Sequence, residues 1–132
     1  MLQYMLDTNI CIFVMKTYPA QLRERFNALA DQLCISAITL GELHYGAEKS
    51  ARRLQNLQAI EQFCARLDVL AFSPKAAVHY GQVRAELERA GTPAGAHDML
   101  IAAHARSEGL IVVTNNRREF DRVPGLRVEN WI

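Results

Sequence analysis

Met1-Leu2-Gln3-Tyr4-Met5-Leu6-Asp7-Thr8-Asn9 opens the chain. Its mostly apolar run stops abruptly at Asp7-Thr8-Asn9, which reads as a short buried strand closed by a helix cap, with Ile10 to Lys16 continuing as a helix. A buried strand that hands over directly to a helix is the opening of a strand-helix-strand unit, and further pairs of that kind are expected along the chain.

They are present. Pro19 ends the first helix, and Gln21 to Ala30 restarts a helical pattern with Leu22, Phe26 and Leu29 on one face. Leu33 to Ser36 is a second strand. Thr39 begins a helix with Leu40, Leu43 and Ala47 on its apolar face, and Arg52 to Leu67 is a long amphipathic stretch carrying Leu54, Leu57, Ile60, Phe63 and Leu67. Asp68 to Phe72 reads as a third strand. Ser73-Pro74 places serine at a cap and proline at the first helical position of a helix that runs to about Arg89. Gly91-Thr92-Pro93 and Gly95 break it, Asp98 opens a helix from Met99 to Ser107, and Gly109 ends that one. Leu110 to Thr114 is the most strand-like run of the chain, and Arg127 to Glu129 adds an edge strand. There is no repeat, low-complexity tract or linker. The alternation predicts an α/β fold with a mainly parallel sheet covered by helices on both faces.

At 132 residues the chain is expected to form one domain around one continuous core. Half its residues are hydrophobic and 22% are charged, which argues against disorder. The formal charge of +1 provides no global field that would draw the chain onto nucleic acid, so any such contact must come from local clusters. Three cysteines, Cys11, Cys34 and Cys64, have no CxxC spacing and suggest neither a disulfide framework nor a zinc ribbon. The longest apolar run, Ile10 to Met15, is too short to span a bilayer, and the N-terminus lacks a basic segment followed by a hydrophobic one. A cytoplasmic protein is the expectation.

In right-handed strand-helix-strand units every helix begins beside the carboxyl edge of the sheet, which brings acids scattered in sequence to one crevice. Asp7 ends the first strand, Glu42 lies in the first turn or so of the helix after the second, and Asp98 heads the helix that feeds the fourth. Asn116 and Glu119 follow that fourth strand. An oxygen-rich cluster without cysteine or histidine ligand spacing favours a hard divalent cation, Mg²⁺ or Mn²⁺, over zinc. Such an ion relieves the repulsion between crowded carboxylates and supports attack of water on phosphorus, so phosphodiester hydrolysis is the natural reaction.

The same residues carry a resemblance. Leu6-Asp7-Thr8-Asn9, Leu40-Gly41-Glu42-Leu43 followed by Gly46, Asp98-Met99-Leu100-Ile101-Ala102-Ala103-His104-Ala105, and Thr114-Asn115-Asn116 through Phe120 match, in order, the motifs of PIN-domain ribonucleases. Within that family the opening Met5-Leu6-Asp7-Thr8-Asn9-Ile10-Cys11-Ile12 resembles the VapC toxins of bacterial toxin-antitoxin pairs. The resemblance implies a single PIN domain over residues 1–132, folded as a three-layer α/β/α sandwich with a central, mainly parallel sheet. It also implies an endoribonuclease dependent on Mg²⁺ or Mn²⁺, a VapB-type antitoxin as partner, and a homodimer within a larger toxin-antitoxin complex. The implied substrate is tRNA, through the anticodon stem-loop of initiator tRNA. The family's three principal acids map onto Asp7, Glu42 and Asp98. Its fourth acid frequently stands as aspartate where this chain has Asn116, and Glu119 supplies a charge from the next turn.

Simpler readings stand beside these. Asp7 and Asp98 also suit helix caps, Glu42 a solvated helix face, and Asn116 with Glu119 the start of a short helix. Thr8 and Thr114 are candidates to hydrogen-bond carboxylates or water next to the metal ligands. Arg117, Arg118 and Arg122 follow the acidic edge and are candidates to hold phosphates. Among His44, His79, His97 and His104, only His97, beside Asp98, is expected to touch substrate; packing or surface is the default for the others. Tyr45 and Tyr80 are read first as core or dimer packing, with base stacking as the alternative. Two further functions compete with the nuclease. One is an aspartate-dependent phosphatase with Asp7 as nucleophile, although Asn9 stands where a second aspartate would be needed. The other is a PIN-like binding module in which Asn116 marks weakened catalysis.

Overall fold

The computed structural model describes residues 1–132. Five parallel strands form one sheet in the order β3-β2-β1-β4-β5, with β1 at Tyr4–Leu6, β2 at Leu33–Ser36, β3 at Asp68–Leu70, β4 at Ile111–Val113 and β5 at Arg127–Glu129. The mainly parallel sheet expected from the alternation of elements is parallel throughout.

Seven α-helices join the strands: α1 at Thr8–Met15, α2 at Ala20–Ala28, α3 at Ala37–Glu48, α4 at Arg53–Cys64, α5 at Pro74–Arg89, α6 at Ala96–Ser107 and α7 at Arg117–Phe120. Strand residues alternate between two cores, as the period of two in a strand requires. Leu6, Leu33, Ile35 and Val113 face one core with Ile10, Phe26, Leu43, Ile60 and Phe63 from α1 to α4. Met5, Cys34 and Val112 face the other with Val83, Leu87, Ile101, Ala103 and Phe120 from α5 to α7. The result is a three-layer α/β/α sandwich. No helix is long and apolar enough to cross a membrane.

Capping residues set several of the helix starts. Ser36 accepts the Ile38 N–H at 3.0 Å to begin α3, and Ser73 accepts the Ala76 N–H at 3.2 Å with Pro74 at the first helical position of α5. Several starts fall earlier than the sequence expectation, α1 at Thr8, α2 at Ala20, α3 at Ala37 and α6 at Ala96. Helix α6 begins at Ala96 with Gly95 as its cap, in an extended backbone at φ −58° and ψ 144°, so Asp98 lies inside the first turn and does not open the helix. Gly95 is therefore a cap and not only a break, because its N–H finds a tertiary acceptor in the Glu119 carboxylate.

After β3 the chain crosses from one side of β1 to the other before laying down β4, so the strand order reverses between β1 and β4. A crevice opens beyond the carboxyl ends of strands at such a reversal, because the connections leaving the two strands diverge to opposite faces. Leu6 pairs in register with Val113, which puts Asp7 and Thr114 level with each other at that point.

Ile101, fully buried on α6, ties this helix to the sheet. Ile101→Ala is expected to lower the unfolding free energy by about 2–5 kcal/mol through lost burial and a residual cavity. Urea denaturation followed by circular dichroism checks it: a lower midpoint with an unchanged slope is expected.

Candidate active site

Asp7 leaves β1 in extended backbone and caps α1, its Oδ1 accepting the Ile10 N–H at 2.9 Å. Its Oδ2 accepts the Thr114 hydroxyl at 2.5 Å, and its own N–H donates to the Val113 carbonyl at 3.0 Å. The cap reading and the acid reading of Asp7 are thus compatible. Only 3% of the residue is exposed. Burial pushes its pKa up, the bonds from Thr114 and Ile10 work against that rise, and the nearby charge of Glu42 adds to it.

Glu42 stands in the second turn of α3, because the helix begins at Ala37, two residues before the expected Thr39. Its Oε1 accepts the Thr8 hydroxyl at 2.5 Å, and its Oε2 lies 2.9 Å from His97 Nδ1. Thr8 and Thr114 therefore each hold one of the acids in place. His97 is largely exposed, so it orients Glu42 from the solvent side.

Asp98, in the first turn of α6, faces Glu119 of α7. Burial, a hydrogen bond with Glu119 and the charges of Glu119, Asp7 and Glu42 raise its pKa to about 7. Glu119 is shifted down, chiefly by the hydrogen bond from Asp98 and also by those from the Gly95 N–H and Asn116. The Gly95 N–H to Glu119 Oε1 distance is 3.2 Å, and Asn116 Nδ2 donates to Glu119 Oε2 at 2.9 Å. Asn116 is itself fixed by its backbone N–H on Thr114 Oγ1 at 2.8 Å. One hydrogen-bonded string thus runs from Ile10 through Asp7, Thr114, Asn116 and Glu119 to Asp98, and a second joins Thr8, Glu42 and His97. The fold brings Asp7, Glu42, Asp98, Asn116 and Glu119 together at the carboxyl edge.

Two acids that share one proton are relieving mutual repulsion, and Asp98 with Glu119 is such a pair. A divalent cation relieves the same repulsion without the proton, and the available donors are carboxylate oxygens and one amide. No three His, Cys, Asp or Glu side chains close around a single point as a finished cage. The chemistry of the donors nevertheless fits a hard cation whose coordination is completed by water or phosphate oxygens.

The neighbouring cations divide by their partners. Arg117 pairs with Asp121 at 3.3 Å, Arg122 donates to the Pro93 carbonyl at 3.2 Å, and Arg118 is exposed beside them. Of the two default places for His104, packing and surface, the fold selects packing: the ring is fully buried, with Nδ1 at 2.8 Å from Ser36 Oγ, so it braces α6 against the cap of α3. Nothing in the spacing of Ser36 and His104 foretells that contact across the fold. Tyr45, for which core or dimer packing is the first expectation, is 66% exposed, which removes core packing within this chain.

Residues 4–126 match the PIN domain family. The chain is 57% identical over 131 residues to the tRNA(fMet)-specific endonuclease VapC of Salmonella typhimurium, covering 99% of each. It is 60% identical to the tRNA(fMet)-specific endonuclease VapC of Shigella flexneri, again over 99% of each. Ribonuclease VapC2 of Haemophilus influenzae is 54% identical over the full length of both chains. Among solved structures, DNA-bound VapBC from Salmonella typhimurium superposes with a TM-score of 0.96 at 57% identity, over 100% of both chains. VapBC2 from Rickettsia felis, bound to a DNA fragment from its promoter, gives 0.94 at 41% identity, over 99% of this chain and 100% of that one.

The raised pKa of Asp98 has a sign that can be checked. The folded chain holds a proton there that the unfolded chain releases near pH 3.8, so this group's stabilisation is complete below that pH and is lost as pH rises through about 7. Asp98→Asn keeps a donor toward Glu119 without the charge. At pH 8 without divalent ions it is expected to exceed the parent in stability by about 1–2 kcal/mol after solvent screening, an advantage that vanishes near pH 4. Thermal unfolding at the two pH values reads this out; no pH dependence in the difference would contradict the shared proton.

Proposed function

Because the chain belongs to the PIN-domain family, we propose that it is the toxin of a VapBC-type toxin-antitoxin pair, a metal-dependent endoribonuclease that hydrolyses RNA phosphodiesters. The observation that carries the reading is the meeting of Asp7, Glu42, Asp98 and Glu119 at the strand-order reversal, where their charges raise the pKa of Asp98. Asp7, Glu42 and Asp98 are the principal catalytic acids in this reading, with Asn116 and Glu119 completing the site. Mg²⁺ or Mn²⁺ is the ion. When bound, it supplies Lewis acidity toward a phosphate oxygen and toward water.

The chain's own groups do the rest. Asp7 is ordered before any ligand arrives, since both its oxygens already accept hydrogen bonds. Thr114 and Thr8 hold Asp7 and Glu42 in their rotamers, which limits the reorganisation needed on binding. Asp98 and Glu119 share a proton near neutral pH, so a proton can move at the Asp98 carboxyl as the site takes up charge. Arg118, with Arg117 and Arg122 once their present partners release them, offers cations to phosphates along the rim. A phosphatase using Asp7 as nucleophile fits poorly, because Asn9 stands where a second aspartate would be needed for acid-base help.

Initiator tRNA is the proposed substrate, on the strength of the relatives called tRNA(fMet)-specific endonucleases, with its anticodon stem-loop as the site of cleavage. The proposed partner is a VapB-type antitoxin. A groove of about 330 Å³ lined by Ile12, Met15, Leu43, Ala47 and Ile60, with Glu42 at its margin, suits an apolar antitoxin segment that brings an arginine or lysine to the acids. A cytoplasmic homodimer completes the proposal.

Asp7→Asn is expected to reduce cleavage of initiator tRNA in Mn²⁺ at least ~100-fold while circular dichroism still reports the parent's fold at the assay temperature. Full activity in that variant would remove Asp7 from the chemistry. Since water is the proposed nucleophile and not the ribose 2′-hydroxyl, the fragments should carry 5′-phosphate and 3′-hydroxyl ends. End analysis by mass spectrometry checks this, and cyclic phosphates would contradict it.

A further inference from the structure

Helix α3 presents two different faces, and they part at Glu42. Leu43, Gly46 and Ala47 turn into the apolar groove. The adjacent line runs Glu42, Tyr45 and Lys49, spaced i, i+3 and i+7, so that each residue stands above the last on the helix surface. Tyr45 leaves 66% of its area in water, which rules out a core role within this chain. Lys49 Nζ stands 4.6 Å from the centre of the Tyr45 ring, holding a cation against an aromatic face. Beyond the end of the helix Arg52 is exposed, while Arg53 is tied to Glu48 at 2.6 Å.

An exposed ring with a cation over it and a carboxylate one turn away matches what single-stranded RNA needs: a platform on which a base stacks and a charge for the next phosphate. The distances are commensurate. At about 1.5 Å per residue, Tyr45 and Lys49 lie roughly 4.5 and 10 Å along the helix from Glu42. At about 3.4 Å per nucleotide of a stacked strand, Tyr45 corresponds to about one nucleotide from Glu42, and the Lys49 ammonium, folded back to 4.6 Å from the Tyr45 ring, stands where a phosphate flanking that nucleotide would lie. This line alternates charge with one aromatic, the composition of a nucleic-acid track, and a contact between copies through Tyr45 is the alternative that oligomeric state separates from it.

We propose that Tyr45 and Lys49 form the entry track for the RNA strand, Tyr45 stacking on a base close to the scissile phosphate and Lys49 holding a phosphate that flanks that nucleotide. The inference rests on the ribonuclease reading of the acidic site and adds to it the residues that grip the substrate outside that site. Both side chains are exposed, so their replacement leaves the core untouched.

The test uses the full chain and an initiator-tRNA transcript. Tyr45→Ala, Tyr45→Phe and Lys49→Gln are placed in the Asp7→Asn background for binding and in the active background for cleavage. Hydrolysis of bis(p-nitrophenyl) phosphate in Mn²⁺ reports the chemistry on a substrate too small to reach Tyr45, and sedimentation reports oligomeric state. Tyr45→Ala should weaken RNA binding about ten-fold while Tyr45→Phe retains it. Lys49→Gln should lower the slope of log affinity against log salt by about 0.7. All three should hydrolyse the small diester and sediment as the parent does. Unchanged RNA affinity and salt slope overturn the track, as does an equal loss on the small diester, which would place these residues in the chemistry. A Tyr45→Ala protein that falls to a smaller oligomer also overturns it, because the face would then be a contact between copies. If the parent binds RNA without cutting it, the nuclease reading fails while these binding data still decide the track; a parent that binds no RNA overturns both.

Discussion

Carboxylates repel one another, and this fold holds four of them, Asp7, Glu42, Asp98 and Glu119, at one edge of a parallel sheet. The cost appears in protonation: burial and like charges raise Asp98 to about 7, and its carboxyl shares a proton with Glu119. Much of the surrounding structure serves to hold that arrangement. Thr114 and the Ile10 N–H pin Asp7, Thr8 and His97 pin Glu42, and the Gly95 N–H with Asn116 pin Glu119. The bonds to Asp7 and Glu119 favour the charged forms of those acids and so offset part of the repulsion.

Asp7 shows how tightly fold and site are joined. The same side chain caps α1 and supplies the innermost acid, so the helix start and the site cannot be separated by mutation without replacing one of its hydrogen bonds. His104 works at a greater remove. Buried against Ser36 Oγ, it links the middle of α6 to the cap of α3, the two helices that carry Asp98 and Glu42. A polar contact of that kind within an otherwise apolar layer gives the packing of the two helices a definite register.

Helix α3 connects the site to two surfaces of unlike chemistry. Leu43 and Ala47 meet Ile12 and Ile60 in an apolar groove, and Tyr45 with Lys49 presents a ring and a cation to solvent. Both surfaces begin beside Glu42. Glu42 is thus the one acid of the site that borders both surfaces.

Much of this is legible in the linear chain. The buried run that ends at Asp7-Thr8-Asn9, the serine-proline start of α5, the strand at Leu33–Ser36 and the order of acids along the chain all reflect local rules of capping and periodicity, and these depend on residues within a few positions of each other. Right-handed connection of parallel strands then carries Asp7, Glu42, Asp98 and Asn116 to one edge, so their convergence is also implied by the sequence. What the tertiary structure alone decided depends on contacts between residues far apart in the chain. It moved the start of α6 back to Ala96, because Glu119, more than twenty positions away, accepts the Gly95 N–H. It buried His104 on Ser36, exposed Tyr45, and set the protonation of Asp98 through charges on other elements. Local pattern names the residue types available to a site, whereas burial, partner and charge state are properties of the packed neighbourhood, which exists only once the layers have closed.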